Sequence, residues 1–431
     1  MTSQDSDPIL YPNDGGTEGS TDGVSRRQLL ASGATAGAVA TAGCAGGDDD
    51  TDSAGTSTEP AGRATVFVFN TGDGTVSLLD PETDERIDTL DVGLSSSFPS
   101  NQYSPALTDD AADSLWLNVG RGVRGLSVGS LAETAVVETG SGANWLEQTP
   151  NGSHVVVSAR EPSHTQFRID ADPDSATFGE VTGEIDRASE DGRGSNDGPG
   201  PCDVTIHPDG QYAYVPDLFG DTLTVLSIDP FEIATQTDVD PVGDGPSAPW
   251  MATASPDGRT LLVEHNEGDT GTESIWDLSD PAAPTERARL TISDDLGERP
   301  LTSEIGPDSE TGYVFTPGSN DVTVVDLTEA TVVDRLDLGG SAFVGTWDPG
   351  RTKLYAPVQT SDEVAVIDHN RTEIVERIDV GSSPYGATAA QVRPDADASS
   401  SIAAEMAGLG LRKDTAETTY CLGKCACGHR L

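Results

Sequence analysis

The stretch ATVFVFNTGDGTVSLLDPETDERIDTLDVG, residues 64–93, contains the pattern that decides the fold. It begins with a β-rich run and a Gly/Asn/Asp turn. An apolar run then ends at Asp80, and a last strand ends in Val92 and Gly93 after a Pro-Glu-Thr turn. Runs rich in β-branched and aromatic residues, bounded by such turn residues, predict short antiparallel strands joined by tight turns.

The same order of segments recurs along the chain at a spacing of about 40–55 residues. The apolar run that ends in Asp is found again at residues 225–229, 274–277, 322–326 and 364–368. Four short strands in each repeat are typical of propeller blades, so we predict an all-β, seven-bladed β-propeller. We place the blades at about 64–97, 99–139, 141–187, 199–243, 246–293, 297–338 and 340–381. The second and third units are degenerate, which leaves six or eight blades open.

A proline-containing turn opens most units. It reads Pro150-Asn151-Gly152, Pro208-Asp209-Gly210, Pro256-Asp257-Gly258, Pro307-Asp308-Ser309 and Asp348-Pro349-Gly350. Proline restricts φ, Asn or Asp bonds its own backbone, and glycine tolerates positive φ. These turns predict hairpin connections between neighbouring strands.

The end of the repeat region predicts how the ring closes. Residues 384–395 read as an innermost strand with its turn, yet no blade follows, and the first unit begins without such a strand. The C-terminal strand can therefore complete the first blade and remove the open edges of the ring. An open two-sheet sandwich is the alternative architecture, but it would not explain why the last repeat has an extra strand and the first repeat lacks one.

The units resemble the YVTN repeat of the YncE-like seven-bladed propellers over roughly residues 62–395. The stretch from Pro201 to Leu218 is also similar to the lactonase-type propellers, 6-phosphogluconolactonase and muconate cyclase. That resemblance implies a His after the proline of this strand, where this chain carries Cys202. A repeat resemblance predicts a fold more specifically than an activity, because propellers support many chemistries.

The chain has 431 residues and a formal net charge of −49, from 24 Lys plus Arg against 73 Asp plus Glu. Its acids are dispersed, which is typical of proteins of salt-loving archaea, where molar salt shortens the Debye length to about 3 Å. A mesophilic acidic protein that recruits a cation is the alternative. The negative field disfavours nucleic acid as a partner. A polytopic membrane protein needs repeated apolar runs of roughly 18 or more residues, and the sequence contains none.

The N-terminal segment predicts export and lipid anchoring. Arg26 and Arg27 precede a small, mildly apolar run that ends in Thr-Ala-Gly-Cys44, which combines a twin-arginine signal with a lipobox. We therefore divide the chain into a signal peptide (1–44), a disordered acidic tether (45–62), the propeller (63–395) and a C-terminal Cys/His tail (396–431). A buried cysteine in an ordinary helix is the alternative for Cys44.

Enzymatic candidates lie in the third to fifth units. His265, Glu267, His207 and Asp217 are the candidate catalytic residues, joined by Glu161, Cys202 and Asp203. A His such as His265 in a loop can act as general base because its pKa lies near neutrality. Loop caps and hairpin hydrogen bonds are the alternative for each of them. Six scattered His do not form a His-rich copper cluster.

Four further residues are candidates near the channel. Arg121 and Arg124 are close together on an acidic chain and are candidates for anion binding, with ion pairing to neighbouring acids as the alternative. Trp145 and Trp250 precede the turns of their units, so they either line the channel or pack in the core.

The C-terminal tail is a candidate metal site. Cys421, Cys425, Cys427 and His429 lie within nine residues, and thiolates with an imidazole suit Zn²⁺ or Cu(I). The spacing is similar to the ligand loop of the dinuclear CuA centre, but the tail is too short for the cupredoxin barrel which that centre needs. A disulfide with one free thiol and an inert recognition tail are the alternatives.

Together these patterns predict a monomeric binding or scaffold propeller, lipid-anchored at the outer face of the cytoplasmic membrane, with a copper or zinc ion in its tail. A protein partner on the cell surface is expected, and no other cofactor. The alternative is a lactonase-type hydrolase with its site at the channel mouth. Two sequons, at Asn151 and Asn370, are candidate glycosylation sites.

Overall fold

The computed structural model describes residues 63–92, 113–119, 121–140, 143–193 and 198–394. These residues form 27 β-strands and a single 3-10 helical turn, Ile292–Asp294. Within this part of the chain, no helix has the length and apolar character that crossing a bilayer would require.

The strands of the first four blades are short and follow one another closely. In chain order they are β1 (Thr65–Asn70), β2 (Thr75–Asp80), β3 (Glu85–Asp91), β4 (Ser114–Val119), β5 (Gly122–Ser127), β6 (Glu133–Glu138), β7 (Trp145–Gln148), β8 (His154–Ala159), β9 (Thr165–Asp170), β10 (Val181–Asp186), β11 (Thr205–Ile206), β12 (Tyr212–Asp217), β13 (Thr222–Ser227) and β14 (Glu232–Asp238).

The remaining blades repeat the same arrangement. Their strands are β15 (Pro249–Ala254), β16 (Thr260–His265), β17 (Thr272–Asp277), β18 (Thr285–Leu290), β19 (Thr302–Ile305), β20 (Thr311–Thr316), β21 (Asp321–Asp326), β22 (Thr331–Asp337), β23 (Thr346–Trp347), β24 (Lys353–Val358), β25 (Glu363–Asp368), β26 (Glu373–Asp379) and β27 (Pro384–Ala390).

The strands form seven antiparallel sheets, and the predicted all-β, seven-bladed propeller is confirmed. Six sheets contain four strands, and the second blade contains three, β4 to β6, among the described residues. In five of the four-stranded sheets, the strands pair in chain order from the innermost to the outermost. Consecutive hairpins thus build each blade, as the proline-containing turns predict.

The first blade is the exception to chain order, because its inner strand comes from the end of the propeller. Strand β27 pairs antiparallel with β1, with Phe67 opposite Thr388 and Thr65 opposite Ala390. The predicted closure of the ring by the C-terminal strand is therefore present, at Pro384–Ala390. It joins the two ends of the ring and leaves neither end blade with an unpaired inner edge.

Burial falls from the inside of each blade to its outside. Strand β1 is buried along its whole length, whereas the fourth strands, such as β22, are largely exposed. Apolar clusters fill the spaces between blades. Val66, Tyr355 and Val364, for example, pack together between the first and seventh blades. Burial of these faces at about 25 cal/mol per Å² is the main force that holds neighbouring blades together.

The turns after the inner strands share one backbone conformation. A residue with positive φ follows the Asn or Asp in three blades, and it is glycine each time: Gly152 (φ 72°), Gly210 (φ 73°) and Gly258 (φ 70°). In the sixth and seventh blades Ser309 (φ 58°) and Arg351 (φ 52°) take this conformation. These turns all lie at one end of the inner strands, which places them on the same face of the ring.

Candidate functional site

A cavity of about 170 Å³ lies where the inner strands of four blades end and the turn of a fifth begins. We call this side of the ring the turn face; its turns are residues 149–153, 207–211, 255–259, 306–310 and 348–352. The opposite side, with the loops that follow the second strands, is the loop face. Polar side chains of the cavity wall include Glu147, Thr205, Thr253, Glu304 and Arg351.

Four of these side chains occupy the same position in their blades. Glu147, Thr205, Thr253 and Glu304 each stand three residues before the proline of the following turn. Because the inner strands are equivalent around the axis, this shared register brings the four side chains to one level of the channel. The cavity is therefore built by the repeat itself.

Glu147 is one of the two carboxyl groups that line the cavity. Its Oε2 accepts a hydrogen bond from the backbone N–H of Ile206 in the next blade, at 3.0 Å. Burial raises the pKa of Glu147 to about 8, although the Ile206 amide and the Thr205 hydroxyl oppose the shift. At neutral pH most of this carboxyl group is therefore protonated.

Glu304 is the second carboxyl group of the wall. Its side chain belongs to a residue that is 1% exposed, and its Oε1 has no hydrogen-bond partner in the described part of the chain. Burial raises the pKa of Glu304 well above its ordinary value. The charge of Arg351 opposes the shift, and repulsion from Glu147 adds to it.

Arg351 contributes the positive charge of the wall. It stands at the turn position that three other blades fill with glycine, and φ of 52° is a conformation that costs an L-residue about 1 kcal/mol. Its guanidinium lies over the ring of Trp347, at 5.6 Å from the centroid, and Nη2 donates to the carbonyl oxygen of Ile305 at 3.3 Å. A cation is thus held at the edge of the carboxyl groups.

Three more buried carboxyl groups lie in the fourth and fifth blades. Asp203 accepts backbone hydrogen bonds from Val204 and Ala252, both at 2.7 Å, and so links the fourth blade to the fifth. Glu264 and Glu273 stand opposite each other in the β16–β17 pair. Burial raises the pKa of Glu264 to about 8 and that of Glu273 well above its ordinary value. The described residues nevertheless contain no group of three or more His, Cys, Asp or Glu that could hold a metal ion.

His265, the predicted general base, is a fully buried residue at the end of β16. Its Nε2 lies 2.7 Å from the hydroxyl of Ser274, and its Nδ1 lies 3.2 Å from the carbonyl oxygen of Ser247. Burial lowers the pKa of His265 well below its ordinary value, and repulsion from Arg289 acts in the same direction. The imidazole is therefore neutral, and both of its ring nitrogens are hydrogen-bonded.

Glu267 and Asp217 lie in closed hydrogen-bond networks on the loop face. Glu267 accepts hydrogen bonds from the backbone N–H groups of Val242 and Gly243 and pairs with Arg289 at 3.1 Å. Asp217 forms a fully buried bidentate pair with Arg187, with N–O distances of 2.7 and 2.8 Å. Both carboxylates tie loops to strands.

His207 lies on the turn face, next to two residues of the cavity wall. Its Nε2 donates to the carbonyl oxygen of Gly258 at 3.0 Å, and its Nδ1 accepts from the N–H of Asp209 at 3.2 Å. A Cβ added to Gly258 would lie 2.6 Å from His207 Nε2, so the ring fills the space under the neighbouring turn. The structure thus places His207 as a support of this turn.

Cys202 is buried, and three polar side chains surround it. Asn144 donates to the Cys202 carbonyl oxygen and, at 3.2 Å, to its Sγ. Arg160 Nη1 lies 3.6 Å from Sγ, and Arg160 pairs with Glu161 at 2.6 Å. The candidates Glu161 and Cys202 are therefore brought together, whereas His265 and Glu267 belong to the fifth blade.

The remaining predicted residues are distributed over the molecule. Arg121 is exposed in the turn before β5, and Arg124 on β5 lies 3.6 Å from Glu133, the ion pairing considered as its alternative. Trp145 and Trp250 are both 1% exposed and pack in one apolar cluster. The signal residues Arg26 and Arg27, the lipidation residue Cys44 and the tail residues Cys421, Cys425, Cys427 and His429 lie outside the described residues.

Sequence reasoning did not select Glu147, Glu304 or Arg351. A Glu in a strand usually lies on a solvated face, so neither Glu147 nor Glu304 was among the candidate residues. The available signal was the common position three residues before the turn proline, where aligned repeats carry Glu147, Thr205, Thr253, Glu304 and Thr346. Alignment of the repeats on their prolines would have shown this ring.

No known family profile and no curated protein matches the chain. Solved structures do match. A protein from Lactobacillus plantarum is 14% identical with a TM-score of 0.61, over 76% of this chain and 99% of that one. The periplasmic gluconolactonase of Pseudomonas aeruginosa is 17% identical, with a TM-score of 0.58 over 77% and 99%. A Bacteroides fragilis protein provisionally classed as a 6-phosphogluconolactonase is 16% identical, with a TM-score of 0.59 over 77% and 99%. At these identities the likeness concerns the seven-bladed fold.

Proposed function

We propose that this chain is an exported, membrane-anchored β-propeller that binds a ligand or partner at the cell surface and is not a hydrolase. The observation that supports this proposal is a contrast between the two faces. The candidate catalytic groups His265, Glu267 and Asp217 are held by neighbouring groups. The cavity of the turn face instead has an unpartnered buried carboxyl oxygen on Glu304.

A hydrolytic general base must reach its substrate and carry a pKa near the working pH. His265 meets neither condition, because it is fully buried and its pKa is lowered well below the ordinary value. We expect the purified chain in high salt to show no turnover of gluconolactone above the uncatalysed rate. Saturable turnover that disappears in His265→Ala, with the variant still folded, would overturn the binding proposal.

A lactonase is the second candidate function. Its supporting observation is the fold likeness to a periplasmic gluconolactonase. The cluster of Glu161, Arg160 and Cys202 would be the place to test it, since Cys202 stands where the resemblance implies a His. Turnover that is enhanced by Cys202→His, and abolished by Glu161→Gln in that background, would favour this candidate.

The proposed localisation depends on Arg26, Arg27 and Cys44. Twin-arginine export delivers a folded propeller, and the lipid on Cys44 with the tether 45–62 then holds it at the outer face of the membrane. We expect Cys44→Ser to release the protein from the membrane fraction, and Arg26→Lys with Arg27→Lys to keep it inside the cell. The control is Cys202→Ser, which leaves the lipobox intact and should stay in the membrane fraction.

The proposed soft-metal site uses Cys421, Cys425, Cys427 and His429. Thiolate ligands favour Cu(I) or Zn²⁺. We expect about one such ion per chain after anaerobic purification, lost when Cys425 and Cys427 are changed to Ser and retained in Cys202→Ser. Oxidised tail thiols without metal would instead support the disulfide alternative.

A further inference from the structure

Among the described residues that line the cavity of the turn face, Arg351 carries the only cationic side chain. Its guanidinium lies over the ring of Trp347, and the same indole forms a hydrogen bond with Glu304. One aromatic side chain therefore holds the cation beside a carboxyl group. A guanidinium is planar, and its N–H donors form a fork that matches the two oxygens of a carboxylate. The shape of this group favours a carboxylate as its ligand.

The carboxyl groups of the wall oppose such a ligand little at mildly acidic pH. Burial raises the pKa of Glu147 to about 8 and that of Glu304 well above its ordinary value, so both are largely uncharged at about pH 6. Burial also lowers the pKa of Arg351, but a guanidinium ordinarily titrates above about pH 12 and keeps its charge. The described wall of the cavity therefore carries a net positive charge at this pH, although the whole chain has a formal charge of −49.

Asp348 also attracts Arg351, but it does not line the cavity. Its oxygens accept hydrogen bonds from the backbone N–H groups of its own turn. The donors are Gly350 at 2.8 Å, Thr352 at 2.7 Å and Lys353 at 2.6 Å. This carboxylate is thus engaged by the turn that presents Arg351 and is not part of the cavity wall.

The size and walls of the cavity favour a small organic anion. A volume of about 170 Å³ admits only a few heavy atoms, and its apolar lining consists of Pro150, Pro208, Pro256, Ile206 and Ile305. Pro208 and Pro256 are exposed, so the cavity has a rim in contact with solvent. A short alkyl chain would cover this apolar lining, whereas phosphate or sulfate has no apolar part to place there.

We infer that this cavity binds a small aliphatic monocarboxylate, with its carboxylate group on Arg351 and its alkyl chain against the proline and isoleucine side chains. The guanidinium supplies charge-assisted hydrogen bonds, and the neutral carboxyl group of Glu304 beside it has an O–H to donate. The inference rests on the proposed binding function and names the class of its ligand.

The test is calorimetric titration of the full chain with propionate at about pH 6 in molar KCl. Propionamide, which has nearly the same shape and no charge, is the matched ligand. Chloride is present in large excess, so propionate must be recognised by more than its charge. A charge contact inside the cavity is screened by salt less than one on the surface.

The repeat supplies the variants. Arg351→Gly introduces the residue that the third to fifth blades carry at this turn position, and it removes a side chain from a backbone with φ of 52°. Arg351→Ser copies Ser309 of the sixth blade and is the second variant if the glycine variant does not fold. Arg259→Ser is the matched control, because the Arg259 side chain is 83% exposed and does not line the cavity. Thermal unfolding verifies that each variant is folded.

We expect saturable one-to-one binding of propionate. The affinity should be at least about tenfold lower in both Arg351 variants and within about twofold of wild type in Arg259→Ser. Glu304→Gln should stay within about threefold, since an amide, like the protonated carboxyl group, is uncharged and has a donor.

Equal binding by a folded Arg351 variant, equally tight binding of propionamide, or no saturable binding by the folded wild type would each overturn the inference. Binding more than about tenfold tighter in Glu304→Gln would show that Glu304 is ionised, and would overturn it as well. Membrane release of Cys44→Ser and the lactone assay do not involve this cavity. They therefore show separately whether the proposed function fails.

Discussion

Glu147 and Glu304 stand at the same register position of the third and sixth blades, each three residues before the proline of its turn, and both line one cavity. Their charges repel each other, and burial raises the pKa of both. Two carboxyl groups that lie far apart in the chain thus line one cavity because the ring places equivalent positions around a single axis.

The first prediction concerns stability against pH. Burial raises the pKa of Glu147 and of Glu264 to about 8 in the folded chain, from an ordinary value of 4.5. The folded state therefore binds more protons than the unfolded state between these values. Their contribution to stability is complete below about pH 4.5 and is lost as pH rises through about 8, by up to about 1.4 kcal/mol per pH unit for each group. Chemical denaturation at constant high salt from pH 5 to 8 measures this slope.

The variant Glu147→Gln removes one of the protons that the folded state binds and the unfolded state does not. We expect a slope smaller by up to about 1.4 kcal/mol per pH unit. The exposed Glu310 offers the control, because Glu310→Gln should leave the slope unchanged. An unchanged slope in Glu147→Gln would mean that its carboxyl group is ionised in the folded chain.

The second prediction concerns the buried ion pair of Arg187 and Asp217. Asp217→Asn removes the fully buried partner of Arg187 and leaves it only the partly exposed Glu190, so it should lower the free energy of unfolding by up to about 3–5 kcal/mol. Arg259→Met breaks a pair whose Arg side chain is 83% exposed, and its effect should stay within about 0.5 kcal/mol. Denaturation midpoints provide the comparison. Equal, small effects of both variants would contradict the structural role assigned to Asp217.

The third prediction concerns ring closure. A chain that ends at Ser383 lacks β27 and leaves β1 without its inner neighbour, so we expect it to lose cooperative unfolding. A chain that ends at Pro394 keeps all seven described sheets and should unfold at nearly the temperature of the full chain. Cooperative unfolding of the shorter chain at the same temperature would show that the pairing of β27 with β1 is dispensable.

The fourth prediction concerns glycosylation. Asn151 and Asn370 are both exposed in turns, and Ser153 donates its hydroxyl to Asn151 Oδ1 at 2.7 Å. If the chain is exported as proposed, we expect glycans on both residues. Peptide mass spectrometry of protein from the native membrane should show one glycan fewer in Asn151→Gln. Unmodified peptides at both sequons would exclude this modification.

Most of the fold could be predicted because its signals are local. Turns such as Pro208-Asp209-Gly210 specify their own backbone, and a short strand on each side completes a hairpin. The inner strand at residues 384–390 was recognisable because a unit lacked its partner. The candidate site was predicted less well. Selection of His265 and Asp217 assumed that polar residues near loops are accessible, whereas both are fully buried.

The sequence by itself determined the repeat and a blade count of seven to within one, because both follow from residues near one another in the chain. It also indicated the closing strand, because the first unit lacks an inner strand and the last residues of the propeller supply one. Only the tertiary structure decided which polar groups are engaged and which are left open. Ser247, which bonds His265, and Arg187, which bonds Asp217, lie 18 and 30 residues away along the chain. Glu147 and Glu304 belong to blades that only the closed ring brings to one axis. Burial and hydrogen bonding depend on such distant neighbours, so they determine whether a side chain supports the fold or faces a ligand.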